Sequence, residues 1–106
     1  MRIPHDSYVL VADGAKMLFF RNEGDAENPN LTVIAAEAAQ RINRAALANE
    51  FERLIIVAPP KTLGELRKHY HKQVESRITA EIPKDLTGHP VQKIEAVLQN
   101  YEGASS

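Results

Sequence analysis

The residues whose types could do chemistry in this chain are Asp13, Asp85, a run of lysines between positions 61 and 72, and the His-x-His pair at 69 and 71. Carboxylates that converge can hold a divalent cation for phosphoryl chemistry, but such a cage needs several of them. Asp13 and Asp85 each stand just past a segment that reads as a strand. In an open α/β sheet, ligands sit outside the carboxyl ends of parallel strands. If those strands are neighbours, Asp13, Pro60, Lys61, Lys84 and Asp85 form one candidate ligand crevice. No acid follows the central apolar run at 54–58, which ends in Ala58-Pro59-Pro60, so a full nuclease cage is not expected. The plainer reading of Asp13 is a turn residue, because Asp13-Gly14 between two apolar runs is a strong hairpin signal.

Lys61, Lys68, His69, Lys72 and Ser76 would share one helical face, opposite Leu66, Tyr70 and Val74. Lysines gathered on one face are the minimum footprint for phosphate contact, which makes Lys61, Lys68, His69 and Lys72 the candidate nucleic-acid contacts. Residues 61–77 carry five basic and two acidic side chains, against six and eight in residues 1–60 and two and four in residues 78–106. Total net charge is nonetheless −1, and a solvated helix face is the plainer reading. On a helix, residues two apart point in different directions, so His69 and His71 should not share a zinc ion. No Gly-x-Ser-x-Gly elbow and no phosphate-cradling glycine motif occurs. The expectation is no catalytic residue, no metal and no cofactor, and the balance leans away from an enzyme.

At 106 residues the chain has the size of one domain, with 43% hydrophobic and 25% charged residues, near the globular norm. A domain of this size withdraws roughly 60–70% of its unfolded surface from water. Cysteine is absent, which removes disulfides and thiolate chemistry and fits a cytoplasmic setting. The short apolar run before Asp13 does not resemble a secretory leader. No stretch approaches the ~18–20 apolar residues of a membrane span, so no membrane insertion is expected.

Elements follow from the hydrophobic pattern. Ser7–Ala12 and Ala15–Phe20 read as strands joined by Asp13-Gly14, and Asn22–Asn30 is a dense loop signal. Leu31–Ile34 reads as a third strand. From Ala35 the period changes: Ala35, Ala38, Ala39, Ile42, Ala45 and Ala46 recur at helical spacing. Leu54–Ala58 is wholly apolar, as expected of a central parallel strand. Thr62 and Glu65 have capping-box spacing, opening a helix that would bury Leu63, Leu66, Tyr70 and Val74. Arg77–Ile82 reads as a strand closed by Pro83. Pro90 opens a last helix striped by Val91, Ile94, Val97, Leu98 and Tyr101, and residues 103–106 should fray. The order β-β-β-α-β-α-β-α, with right-handed crossovers, gives a five-stranded mixed sheet of order 3-2-1-4-5, an α/β ribonuclease H-like fold.

Several phrases together resemble a bacterial family called protein required for attachment to host cells. They are Val11–Lys16 with Phe19–Gly24, Ala45-Ala46-Leu47 leading to Phe51–Leu54, Val57–Pro60 with Leu63–Arg67, and Ile82–Thr87. That family is in turn similar to the middle domain of eukaryotic and archaeal peptide-chain release factors and of related ribosome-rescue factors. The resemblance covers most of residues 7–99 and implies the same element order. Family members usually carry a long polar insertion before the first helix, whereas here Ile34 runs almost directly into Ala35–Glu37. Release factors hydrolyse peptidyl-tRNA through a Gly-Gly-Gln loop, and these 106 residues contain no Gly-Gly pair.

The resemblance therefore implies a non-enzymatic cytoplasmic binding module with an indirect part in bacterial attachment to host cells. The alternatives are a translation-associated RNA or ribosome binder using the basic second helix, and a degenerate ribonuclease H-like nuclease using Asp13 and Asp85. Partner identity and oligomeric state are not written in the sequence.

Overall fold

The computed structural model describes residues 1–13, 17–35 and 52–101. Among them, in chain order, are β1 (Tyr8–Ala12), β2 (Met17–Asn22), β3 (Leu31–Ala35), β4 (Leu54–Val57), α1 (Pro60–Arg67), α2 (Lys72–Glu75), β5 (Ile78–Ile82) and α3 (Val91–Asn100). The arrangement is mixed α/β, with strands hydrogen-bonded in the order β3-β2-β1-β4-β5. β1 runs antiparallel to β2 and parallel to β4, while β5 runs parallel to β4. The carboxyl ends of β1, β4 and β5 therefore lie at one end of the sheet, and Asp13, Pro59-Pro60-Lys61 and Lys84-Asp85 follow from them.

The alternation of side chains explains why β1 and β4 are central. Tyr8, Leu10 and Ala12 join Leu54, Ile56 and Ala58 in one buried cluster, while Val9 and Val11 join Ile55 and Val57 in the other. A strand buried on both faces must be apolar at every position, which is the pattern of both runs. Leu63 and Leu66 of α1 and Val74 of α2 cover the first face. Ile94 and Leu98 of α3, with Ile3 and Leu86, cover the second.

Two sequence expectations are corrected by register and position. Ala12 pairs with Met17, so four residues, 13–16, separate the paired strand ends. A two-residue Asp13-Gly14 turn would instead pair Ala12 with the residue at 15, whereas β2 is Met17–Asn22. Ala35 is the last residue of β3 rather than the first of a helix. The rest of that expected helix, along with Gly14 and the tail at 103–106, lies outside the described residues.

The loop after β2 is organised by one buried polar side chain, Asn22, which has no exposed surface. Its amide nitrogen donates to the carbonyl of Ile3 at 2.8 Å and approaches that of Pro4 at 3.3 Å. Its carbonyl accepts from the backbone N–H groups of Gly24 at 3.0 Å and Asn30 at 2.8 Å. The N-terminal segment and both ends of the 22–30 loop are thereby tied to one residue. Gly24 is required there for close approach: a Cβ would lie 2.1 Å from the Asn28 carbonyl oxygen.

The expected helix from Thr62 through Val74 is two helices. Pro60 occupies the first turn of α1, where its fixed φ suits the helix and its missing N–H costs no bond. The helix therefore starts before Thr62, the capping box does not form, and no side chain caps the end. Glu65 instead faces Lys68, with 3.3 Å between carboxylate and ammonium. The N–H groups of Lys68 and His69 bond back three residues, to Glu65 and Leu66, a tightening that closes helices. Residues 68–71 form a link, and α2 starts afresh after His71. His and Tyr are weaker helix formers than Leu or Arg, so little local preference opposes the break.

Tyr70 lies in that link with its ring against the first-face core. Its hydroxyl oxygen is buried and has no hydrogen-bond partner among the described residues. Burial pushes the phenol above its ordinary value; nearby Glu81 adds to this and Arg67 opposes it.

Ile56→Ala should destabilise the protein by about 2–5 kcal/mol, from lost transfer energy and the cavity left behind, measured by denaturant titration. A second expectation concerns alkaline pH. The folded state holds the Tyr70 proton to higher pH than the unfolded chain, which releases it near pH ~10. The contribution is complete below that pH and is lost as pH rises above it. Tyr70→Phe should flatten the alkaline loss of stability relative to wild type, read from melting temperatures across a pH series.

Candidate functional site

Asp13 and Asp85 are joined by a residue that the sequence reading did not single out. The Thr87 hydroxyl donates to the Asp13 carboxylate at 2.6 Å and lies 3.1 Å from the Asp85 carboxylate. The backbone N–H of Thr87 also points to Asp85, at 3.4 Å. A threonine hydroxyl has a single hydrogen to donate, and the shorter contact takes it. The hydroxyl thus fastens the β5–α3 connection to the end of β1, and the Thr87 backbone N–H is the donor left for Asp85. The local signal was present, since Asp85-Leu86-Thr87 has the spacing of an Asx turn. The partner of that turn, 74 residues away, was not legible locally. Among the described residues no group of three His, Cys, Asp or Glu side chains could hold a metal ion.

The other face of Asp13 opens on a cavity of about 400 Å³, lined by Asp13, Met17, Lys61, Thr62, Glu65, Leu66 and His69. Its volume is in the range of small-molecule sites, and its make-up is typical of them: apolar wall with a few convergent polar groups. Met17 and Leu66 supply the apolar wall. Asp13 and Glu65 line it together with Lys61 and His69, so acidic and basic side chains share the site. Asp13 and Lys61 come from the expected crevice, and Lys61 and His69 from the expected nucleic-acid face. One cavity therefore joins residues that the sequence placed in two separate sets.

The remaining expected site residues lie elsewhere. Pro60 is the exposed first residue of α1. Lys84 lines a different groove of about 290 Å³, with Lys93, Ala96, Val97, Asn100 and Tyr101. Lys68 is exposed and faces Glu65, while Lys72 is exposed on α2, beyond the break. His69 and His71 belong to the link rather than to a helix, so the helical-spacing argument about them does not apply. A third groove, of about 430 Å³, runs along β5 beside Glu75, Ile78, Thr79, Ala80 and Glu81. There the Arg67 guanidinium holds Glu81 at 2.6 Å.

Residues 33–98, from within β3 to α3, match the model of bacterial archaeo-eukaryotic release factor family 12. The chain belongs to that family. No curated protein matches it. The match includes β4, α1, β5 and the Asp85–Thr87 connection, so all but the Asp13 and Met17 walls of the cavity lie inside the family region. For this release factor-like domain, the basic residues of α1 and its link are part of what the family model spans.

Thr87→Val keeps the side-chain shape and removes the hydroxyl. It should lower stability by about 1.5–3 kcal/mol, the range for a hydrogen bond to a charged group. Thermal unfolding of the variant beside wild type measures it, and an unchanged melting temperature would show that the link to Asp13 contributes nothing.

Proposed function

We propose that this chain is a non-enzymatic, cytoplasmic binding module of its release factor-like family, and that the cavity beside Asp13 is its ligand seat. The observation that carries the reading is the convergence of Asp13, Lys61, Glu65 and His69 around an apolar wall at the carboxyl end of the sheet. Two carboxylates beside a lysine and a histidine, over apolar surface, suit a partner side chain or small amphipathic group better than a polyanion. Family membership and the strand adjacency support reading the domain as ribonuclease H-like in architecture. An indirect part in bacterial attachment to host cells is supported by the phrase-by-phrase sequence resemblance alone.

A translation-associated role, binding RNA or the ribosome through Lys61, Lys68, His69 and Lys72, is the second reading, favoured by the family match. Two features weigh against it: Lys68 is already beside Glu65, and the helix break separates Lys72 from Lys61. The nuclease reading has the least support, because Asp13 and Asp85 are tied through Thr87 rather than open to a shared cation.

The two leading readings separate in one experiment. Immobilised wild-type chain is compared with Asp13→Asn/Lys61→Gln and Lys68→Glu/Lys72→Glu variants of equal melting temperature, against ribosomal RNA and against proteins identified from a bacterial extract and then purified. The expected result is a purified partner bound by wild type and lost in the cavity variant, with no RNA retained at physiological salt. RNA binding that falls steeply with salt and vanishes in the Lys68→Glu/Lys72→Glu variant would replace the binding-module reading with the translation-associated one.

A further inference from the structure

The groove between α3 and the β5–α3 connection differs from the other two in its charge. The groove along β5 has Glu75 and Glu81 in its wall, and the Asp13 cavity mixes acids with bases. Here the described lining is Lys84, Lys93, Ala96, Val97, Asn100 and Tyr101, with two ammonium groups and no carboxylate. Two nearby described acids are engaged elsewhere. Asp85, next in the chain to Lys84, faces Thr87. Glu95 of α3 accepts the backbone N–H of Leu31 at 2.8 Å. Three other cations have carboxylates beside them: Arg21 has Glu23, Arg67 has Glu81 and Lys68 has Glu65. Lys84 and Lys93, like Lys61 and Lys72, are in no such pair among the described residues, but only Lys84 and Lys93 share a groove whose described lining holds no acid.

Residues 93, 96, 97 and 100 fall on one helix face by the three-and-four spacing, so the wall is one continuous strip of α3. Its middle is apolar, from Ala96 and Val97, with the Lys93 ammonium towards one end and the Tyr101 ring at the other. Lysine is a common phosphate ligand, acting as a compact charge with three donors. Two such charges on one concave surface, with no described carboxylate in its lining, raise the local potential although the whole chain is near neutral. The geometry points to a binding site for a phosphate group, held between Lys84 and Lys93, with any attached organic part lying on the Ala96–Val97 strip. A single lysine pair on a short surface groove suits one phosphate. An RNA strand would need a track of such contacts. This site is separate from the Asp13 cavity and does not depend on the function proposed for it.

The test is a two-dimensional amide NMR titration of the full chain at low salt, with inorganic phosphate, ribose 5-phosphate and ribose as probes. Both phosphates should shift the amides of Lys84, Lys93, Val97 and Tyr101, and ribose should not. Tighter binding of the ester assigns the site to a phosphorylated small molecule, and equal binding assigns it to free phosphate. Either result upholds the site. Lys84→Gln/Lys93→Gln should weaken binding by roughly tenfold or more without changing the melting temperature, whereas Lys61→Gln/Lys72→Gln should leave it unchanged. Shifts centred on Lys61 and His69, equal binding by the Lys84→Gln/Lys93→Gln variant, or no shift at millimolar phosphate would each overturn the proposal.

Discussion

β1 and β4 lie side by side in parallel, and neither has a face left for water. Leu10, Val11, Leu54, Ile56 and Val57 are all fully buried, so each face of the sheet requires its own cover. α1 and α2 supply one for the described residues, and α3 the other. The burial of this pair is the constraint on which the rest depends. It fixes which ends of the strands coincide, and thereby brings residues 13, 59–61 and 84–87 to one end of the molecule. Interior apolar side chains contribute about 1.5–3 kcal/mol each on burial, so no polar contact at that end competes with them in determining the fold.

The polar contacts act on what the core leaves undecided. Asn22 binds the N-terminal segment to the 22–30 loop, where the backbone would otherwise keep unpaired donors and acceptors out of water. Thr87 does similar work at the opposite end of the sheet, joining β1 to the connection that leads into α3. Each closes a loop that hydrophobic burial cannot specify, because that loop contains little apolar surface. In the same connection Asp85 meets Thr87, while Lys84 lines a groove with Lys93. Two residues adjacent in sequence thus serve different surfaces.

Charge follows a comparable logic. The segment 61–77 is the most basic by composition, yet the structure distributes its cations: Lys68 beside Glu65, Arg67 with Glu81, Lys61 in a cavity with two acids and Lys72 past the helix break. The segment 78–106 is net acidic, yet it holds the groove with two lysines and no described acid in its lining. Sequence blocks count charges, whereas binding depends on which side chains reach a common surface.

The sequence by itself determined the strands and the last helix, because their signals are local and repeated. The unbroken apolar runs at 8–12 and 54–58 are short, β-rich and bounded by turn formers, which favours strands buried on both faces, and Ile94 and Leu98 fall on one face at helical spacing. Pro83 and Pro90 marked boundaries through backbone geometry, which needs no partner. Only the tertiary structure decided the rest. Pro60 starts α1 early enough to remove Thr62 from a capping position. The 63, 66, 70, 74 spacing, compatible with one helix, is shared by two helices and a link. Asp13 met Thr87, and Lys84 came to line one groove with Lys93, because those placements depend on how elements pack and which way side chains turn after the chain has folded. Periodicity reports which face of an element is buried; it carries no record of what lies opposite, and sites are made of what lies opposite.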